Sequence, residues 1–352
     1  MTADQHTRLR ARVASQRDWA DRLLTELAAA TAAGRGVTRT AYGPSEQAAH
    51  DLVRAQAQAL GLETSVDPAG NLYACLPGAN RQLPRLLTGS HLDSVPEGGN
   101  FDGAAGVIAG LMALAAIREH GVVLPRDLVT MAIRAEESAW FPQEHVGSRA
   151  ALGLFDPAEL HRVKRVDSGR SLREHLLDAG CQPEAIVEQS PWLTPASVQA
   201  FFELHIEQGP VLVEEVLPVG VVTAIRGNFR YRNIVCLGEY AHAGAVPRRM
   251  RRDALLAACA FAGELEQLWS EVEADGGDLV LTLGQFGTDP AGHAVSKVPG
   301  EVHFSLEVRS HDPGTLDHVD RRVQAIAARI SRERKVDLSL GERRSLMPAQ
   351  MD

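Results

Sequence analysis

The stretch Leu86-Leu87-Thr88-Gly89-Ser90-His91-Leu92-Asp93-Ser94-Val95, followed by Phe101-Asp102-Gly103, decides how the chain folds. Its apolar lead-in reads as the end of a buried strand. His91 and Asp93 stand two apart, which on an extended chain turns both side chains to one face. Asp102 then opens an Ala/Gly-rich helix. A histidine and a carboxylate at a strand end, with a second aspartate nearby, supply what a metal site needs. The stretch therefore points to metal-assisted hydrolysis.

Working outward, helices are expected over residues 18–33 and 44–60, around a Gly/Thr loop at 34–43. Short strands over 63–67 and 71–76 flank a Pro-Ala-Gly turn. Strand 85–90, helix 102–120, strand 127–135 and strand 199–206 follow. This rhythm predicts an α/β domain, a mainly parallel mixed sheet flanked by helices. Residues 156–197 are charged and contain prolines, and read as an insertion. A second block begins near Leu217, with strands at 219–226, 232–238, 278–286 and 301–309 and helices at 251–274 and 313–333. Helices among antiparallel strands predict a smaller α+β domain. One more strand is expected at 336–340.

The chain has 352 residues, enough for one or two domains with their own cores. Hydrophobic content of 45% and charged content of 23% are ordinary for a soluble enzyme. A net charge of −9 argues against a nucleic-acid partner. No apolar run approaches the roughly 18 residues that would argue for a membrane helix. The charged stretch from Met1 to Asp21 lacks the apolar core of a signal peptide, so a cytoplasmic location is expected. Cys75, Cys181, Cys236 and Cys259 are widely spaced and read as buried free thiols.

Four further groups carry chemistry. Arg134-Ala135-Glu136-Glu137-Ser138 closes strand 127–135, and two adjacent carboxylates on an extended chain would face opposite ways. Glu203-Leu204-His205-Ile206-Glu207-Gln208-Gly209-Pro210 closes another apolar strand. His242, in Tyr240-Ala241-His242-Ala243-Gly244-Ala245-Val246-Pro247, is displayed on a turn. Arg309 ends strand 301–309 and could clamp a carboxylate.

Together these segments resemble the M20-type amidohydrolases of the hydantoinase/carbamoylase group, which includes N-carbamoyl-L-amino acid hydrolases, β-ureidopropionases and allantoate amidohydrolases. SHLDSV, FDG, AEES with FP and GSRA, ELHIEQGPVL, AHAG with RRDA, and VPGEVHFSLEVR occur in the order seen there. The likeness runs from about Asp18 to about Met347, and ELHIEQGP separates this group from aminoacylase and peptidase relatives. It implies a di-metal aminopeptidase-like catalytic domain over 1–216, completed by 335–352 with its C-terminal part missing. A ferredoxin-like lid and dimerisation domain would span 217–334. Two divalent ions (Zn, Mn, Co or Ni) are implied. His91 and His205 would hold one, Asp102 would bridge, and Glu137 would hold the other. Asp93 would orient His91. Glu136 would be the general base and His242 would stabilise the oxyanion. Gln208, His242 and Arg309 would bind a small substrate carrying a carboxylate. Closure of the domains about hinges near Leu217 and Lys335 is implied, as is a homodimer through the lid.

The chain departs from the family in three places. Ser296 stands where an asparagine usually binds substrate. HAGTTPM becomes His242-Ala243-Gly244-Ala245-Val246-Pro247-Arg248, which brings a new charge to the site mouth. The family also continues to a Ser-Gly-Ala-Gly-His-Asp-Ala motif whose histidine completes the second metal; that motif does not occur here, so the second site is expected to be incomplete unless another chain supplies a ligand. The expected function is hydrolysis of linear, non-peptide C–N bonds in N-carbamoyl-L-amino acids or ureido acids by a metal-activated water. The alternatives are a catalytically incomplete remnant acting as a subunit or binding protein, and a clan-related aminoacylase or peptidase.

Overall fold

The computed structural model describes residues 3–188 and 190–351. They divide into two compact units, Met1–Pro210 and Val211–Asp352.

The first unit begins with helices α1 (Ala3–Ser15), α2 (Arg17–Ala30) and α3 (Pro44–Ala59). Strands β1 (Glu63–Val66), β2 (Leu72–Leu76) and β3 (Arg85–His91), helix α4 (Ala104–Glu119) and strand β4 (Leu128–Ile133) follow. Helix α5 (Val146–Ala151) and strand β5 (Val198–Phe202) complete the frame. The sheet order is β1-β2-β4-β3-β5. The sheet is mixed, and its parallel part is confined to β4-β3-β5. β1 and β2 are joined by a tight turn, which only an antiparallel pair permits, and β2 runs antiparallel to β4.

β4 is buried along almost its whole length because Leu-Val-Thr-Met-Ala-Ile has helices and loops against both faces. α4 is Ala- and Leu-rich, which suits a helix, and its glycines allow close approach. A Cβ on Gly110 would lie 2.7 Å from Thr130, and one on Gly106 only 2.3 Å from the Leu204 carbonyl. Leu23, Leu27, Val53, Val107, Leu111 and Leu114 fill the core beneath.

The segment read as an insertion is integrated. Its short helices Glu159–Arg162, Leu172–Asp178 and Pro183–Glu188 place Leu160, Leu172, Leu176 and Ile186 in one apolar cluster with Tyr42 and Phe141. The strand expected over 199–206 ends at Phe202, and as the outer strand it leaves Phe202 exposed.

The second unit contains β6 (Gly227–Leu237), α6 (Ala254–Ala274), β7 (Val280–Thr282), β8 (Glu301–Ser310), α7 (Pro313–Arg334), β9 (Asp337–Ser339) and β10 (Arg343–Leu346). The order β7-β8-β6-β9, antiparallel throughout, is the ferredoxin-like arrangement. Asp253 and Asp312 cap the two helices through Leu256 N and through Gly314 N and Thr315 N. Val302, Phe304, Leu306 and Val308 alternate inward along β8 and meet Phe261, Leu265, Val319 and Val323.

Several expectations need correction. The strand over 219–226 shrinks to Ala224–Ile225, and that over 278–286 breaks after Thr282, before Gly284. Residues 337–339 and 343–346 do not join the first unit. They pair with β6, and Val336 and Leu338 are buried in the second unit's core. The four cysteines are free, but only Cys236 is fully buried and Cys259 is exposed. Among the described residues no helix is long and apolar enough to cross a membrane.

Candidate functional site

The site of the first unit grows from the neighbouring ends of β3 and β4. Their parallel register brings His91 opposite Ile133, and Leu92 N extends it by donating to Ile133 O. The chain then turns sharply at Ala135, whose φ of 48° lies in the left-handed region. Glu136 and Glu137 therefore do not follow an extended strand. Their backbone N–H groups instead both donate to the Asp93 carboxylate, each at 3.0 Å. His91 Nδ1 lies 3.0 Å from the Asp93 carbonyl and 3.4 Å from its carboxylate. Asp93 thus ties the two strand ends together.

The strained turn is supported from beneath. Glu46, fully buried, accepts from Ala135 N at 3.0 Å, Tyr42 N at 2.7 Å and Arg134 Nη1 at 2.9 Å. Arg134 also donates to Gly70 O, while Asn71 Oδ1 accepts from Arg134 N. A buried ion pair is tolerable when its remaining donors and acceptors are met in this way.

Asp102 arrives on the loop before α4. Its Oδ1 lies 3.3 Å from His205 Nε2 and 3.8 Å from His91 Nε2, and the two imidazole rings are 5.8 Å apart. Gln208 Nε2 donates to the other oxygen at 2.8 Å, so this amide acts on the carboxylate. Glu136 Oε2 stands 3.9 Å from His91 Nε2. Gly103, φ 64°, makes the close packing possible; a Cβ there would lie 2.5 Å from His91 O and 2.7 Å from its ring.

The residues fit a divalent cation. Asp102 Oδ1 is buried with no hydrogen-bond partner, a costly state unless an ion takes it up. Ligand atoms of His91, Asp102 and His205 lie within 4.8 Å of one another, as do those of His91, Glu136 and Glu137. Imidazole and carboxylate donors suit Zn, Mn, Co or Ni.

The charges are strongly coupled. Burial alone would depress His91, but hydrogen bonding and charge from Asp93, with Glu136 and Asp102, lift it to about 9. Burial and the adjacent Glu136 charge raise Glu137 to about 7. Burial would raise Glu136 too, yet a hydrogen bond from His145 and the charges of His91 and His145 hold it below its ordinary value. The His145 contact, Nδ1 to Oε1 at 3.0 Å, escapes sequence reading. His145 sits in a Pro-Gln-Glu loop without periodicity. It meets Glu136 only because His145 N, Val146 N and Gly147 N bond back to the carbonyls of Glu136, Ala135 and Arg134.

In the second unit, Ala241–His242 pairs with Lys297–Val298, His242 directly opposite Lys297. His242 Nδ1 accepts from Gly244 N at 3.2 Å. Tyr240, Ala241, His242, Ser296 and Lys297 line an open cleft of about 360 Å³. Arg309 does not line this cleft; it donates to Glu307 at 3.0 Å and is half exposed.

Comparison with known proteins agrees with this architecture. Residues 87–346 match the model of peptidase family M20/M25/M40. The chain is 35% identical over 337 residues to an N-carbamoyl-L-amino-acid amidohydrolase of Paenarthrobacter aurescens, covering 96% of this chain and 80% of the relative. It is 32% identical to an allantoate amidohydrolase of Bacillus subtilis, over 90% of this chain and 74% of that protein. The structure of a hydantoinase/carbamoylase family amidase from Burkholderia ambifaria is similar at a TM-score of 0.76 and 31% identity, covering 94% of this chain and 78% of that one. The chain therefore belongs to peptidase family M20/M25/M40, beside the hydantoinase/carbamoylase amidases.

Proposed function

We propose that the protein is a metal-dependent hydrolase of linear C–N bonds other than peptide bonds, with N-carbamoyl-L-amino acids or ureido acids as its substrates. The observation that carries this reading is the buried, unpartnered Asp102 Oδ1 between His91 and His205, with Glu136 alongside. A divalent ion held there supplies Lewis acidity toward a water and the scissile carbonyl. Glu136 accepts the proton of the attacking water and delivers it to the leaving nitrogen. Glu137 belongs to the second set of donors, with His91 and Glu136, and by the family resemblance would share a second ion with Asp102. Asp93 and His145 hold Glu136 by its backbone and by its carboxylate. For His242 as oxyanion donor, and Gln208, Ser296 and Arg309 as substrate contacts, the reading rests on the family resemblance. A cytoplasmic homodimer formed through the second unit belongs to the same reading.

The test is a hydrolysis screen of N-carbamoyl, N-formyl and N-acetyl amino acids and ureido acids after loading with Mn, Co or Zn. N-carbamoyl or ureido acids should be turned over, and Glu136→Gln should lower kcat by roughly 10²-fold or more with metal content retained. Absence of turnover by metal-loaded protein, or near-normal kcat in the variant, defeats the reading.

A further inference from the structure

Of the three donors His91, Asp102 and His205, the last is the one that no ladder holds. β3 and β5 stay paired only as far as Thr88 and Phe202, and residues 203–207 form neither strand nor helix. His91 and Asp102 are buried, whereas the His205 side chain is 34% exposed. Something other than the sheet must therefore set its position.

Two features fix where this segment runs. The Leu204 carbonyl lies so close to α4 at Gly106 that a Cβ there would come within 2.3 Å of it. The same Cβ would lie 2.8 Å from the Ser90 Cβ, so the helix, the end of β3 and the His205 segment converge on one point. There the hydroxyl of Ser90, a fully buried residue, donates to Glu203 Oε1 at 2.5 Å. A hydroxyl bound to a carboxylate makes a charge-assisted bond, roughly twice as strong as a neutral one. Among the described residues Glu203 has no Lys, Arg or His within ion-pair distance, so Ser90 is the partner that orients its carboxylate. The bond joins positions 113 residues apart in the chain. One partner directly precedes His91 and the other stands two residues before His205.

We infer that Ser90 and Glu203 are positioning residues that set His205 beside Asp102, so that the third donor is held through one side-chain bond rather than by the sheet. This deepens the metal-dependent reading above and rests on it. Gly106 allows the approach, Ser90 anchors the Glu203 carboxylate, and the imidazole two residues on then stands 3.3 Å from Asp102 Oδ1. Without the anchor, the segment is free to swing out beyond Phe202 and carry the ring away.

The test uses the full chain loaded with cobalt, with affinity read by titration calorimetry and coordination by visible absorption. Ser90→Ala and Glu203→Ala should each weaken cobalt binding about tenfold, as loss of a group behind a ligand commonly does. At saturating cobalt their spectra should shift toward that of His205→Ala, because each takes the same nitrogen off the ion. Glu203→Gln keeps an acceptor oxygen for the hydroxyl and should recover most of the affinity and the wild-type spectrum. Glu203 is exposed, so its variants decide the matter even if Ser90→Ala fails to fold. Wild-type affinity and spectrum in the alanine variants overturn the inference and leave the metal-dependent reading standing. A lower thermal midpoint with an unchanged spectrum overturns it too, since the bond then serves stability alone. If the wild-type chain takes up no cobalt, the inference and the reading beneath it both fall.

Discussion

The imidazole of His145 stands 3.0 Å from Glu136 Oε1, in a residue whose φ of 56° is itself uncommon. Backbone strain of this kind persists only where surrounding bonds hold it, and three backbone bonds do so here. The contact fixes one carboxylate oxygen and leaves the other, Oε2, directed toward His91. His145→Ala should lower kcat roughly tenfold, because a base that samples several rotamers is less often in line. KM should change little. His145→Asn places an amide donor close to the Nδ1 position and should recover most of the loss. Steady-state kinetics on the two variants checks this; equal kcat in wild type and alanine variant would remove His145 from the site. Residues whose own side-chain chemistry suits a metal, such as His91, Asp102 and His205, stand out in the sequence, and the structure brings them together. Those that act by completing a loop, such as His145, or by supporting a turn from below, such as Glu46, do not stand out. Their partners are 9 and 89 residues away along the chain, and nothing local marks the pairing.

At the level of elements, the junction between β3 and α4 does the positioning. Gly103 forms a three-residue γ-turn in which Ala104 N donates to Asp102 O at 2.6 Å, and its φ of 64° with ψ of −50° is a strained hand for any side chain. Gly103→Ala should cost roughly 1–3 kcal/mol and push His91 away from Asp102. Thermal unfolding and metal analysis of the variant should show a lower midpoint and a loss of bound metal; unchanged metal content would mean the turn does not govern the site. The strands and helices that carry their own apolar periodicity, α4, β4, β8 and α7, were legible from sequence. The missed elements are polar or pair at long range. β10, Arg-Arg-Ser-Leu, has no buried face yet pairs with β6 more than a hundred residues earlier. Conversely, Val219-Gly220-Val221-Val222 has strand composition, but only Ala224–Ile225 finds a partner. Apolar content in that stretch predicts neither pairing nor burial, for Val219, Val221 and Val222 all stay exposed.

At the scale of the whole molecule, each unit has a core of its own, so the two should respond to different perturbations. A divalent ion that binds the folded first unit should raise that unit's unfolding transition by mass action. Phe261→Ala empties a fully buried site in the second unit and should cost that unit about 3–5 kcal/mol. Calorimetry with and without a chelator, on wild type and variant, separates them. The chelator should lower one transition and the mutation the other; both acting on a single shared transition would show that the units unfold as one. The small ladder between Ala224–Ile225 and Ala349–Gln350 is extended by Met351 N donating to Thr223 O at 3.0 Å. Cα atoms facing each other in such a ladder lie about 5 Å apart. Two stretches more than a hundred residues apart along the chain thus share one set of backbone bonds, and whatever loosens one exposes the amides of the other to exchange.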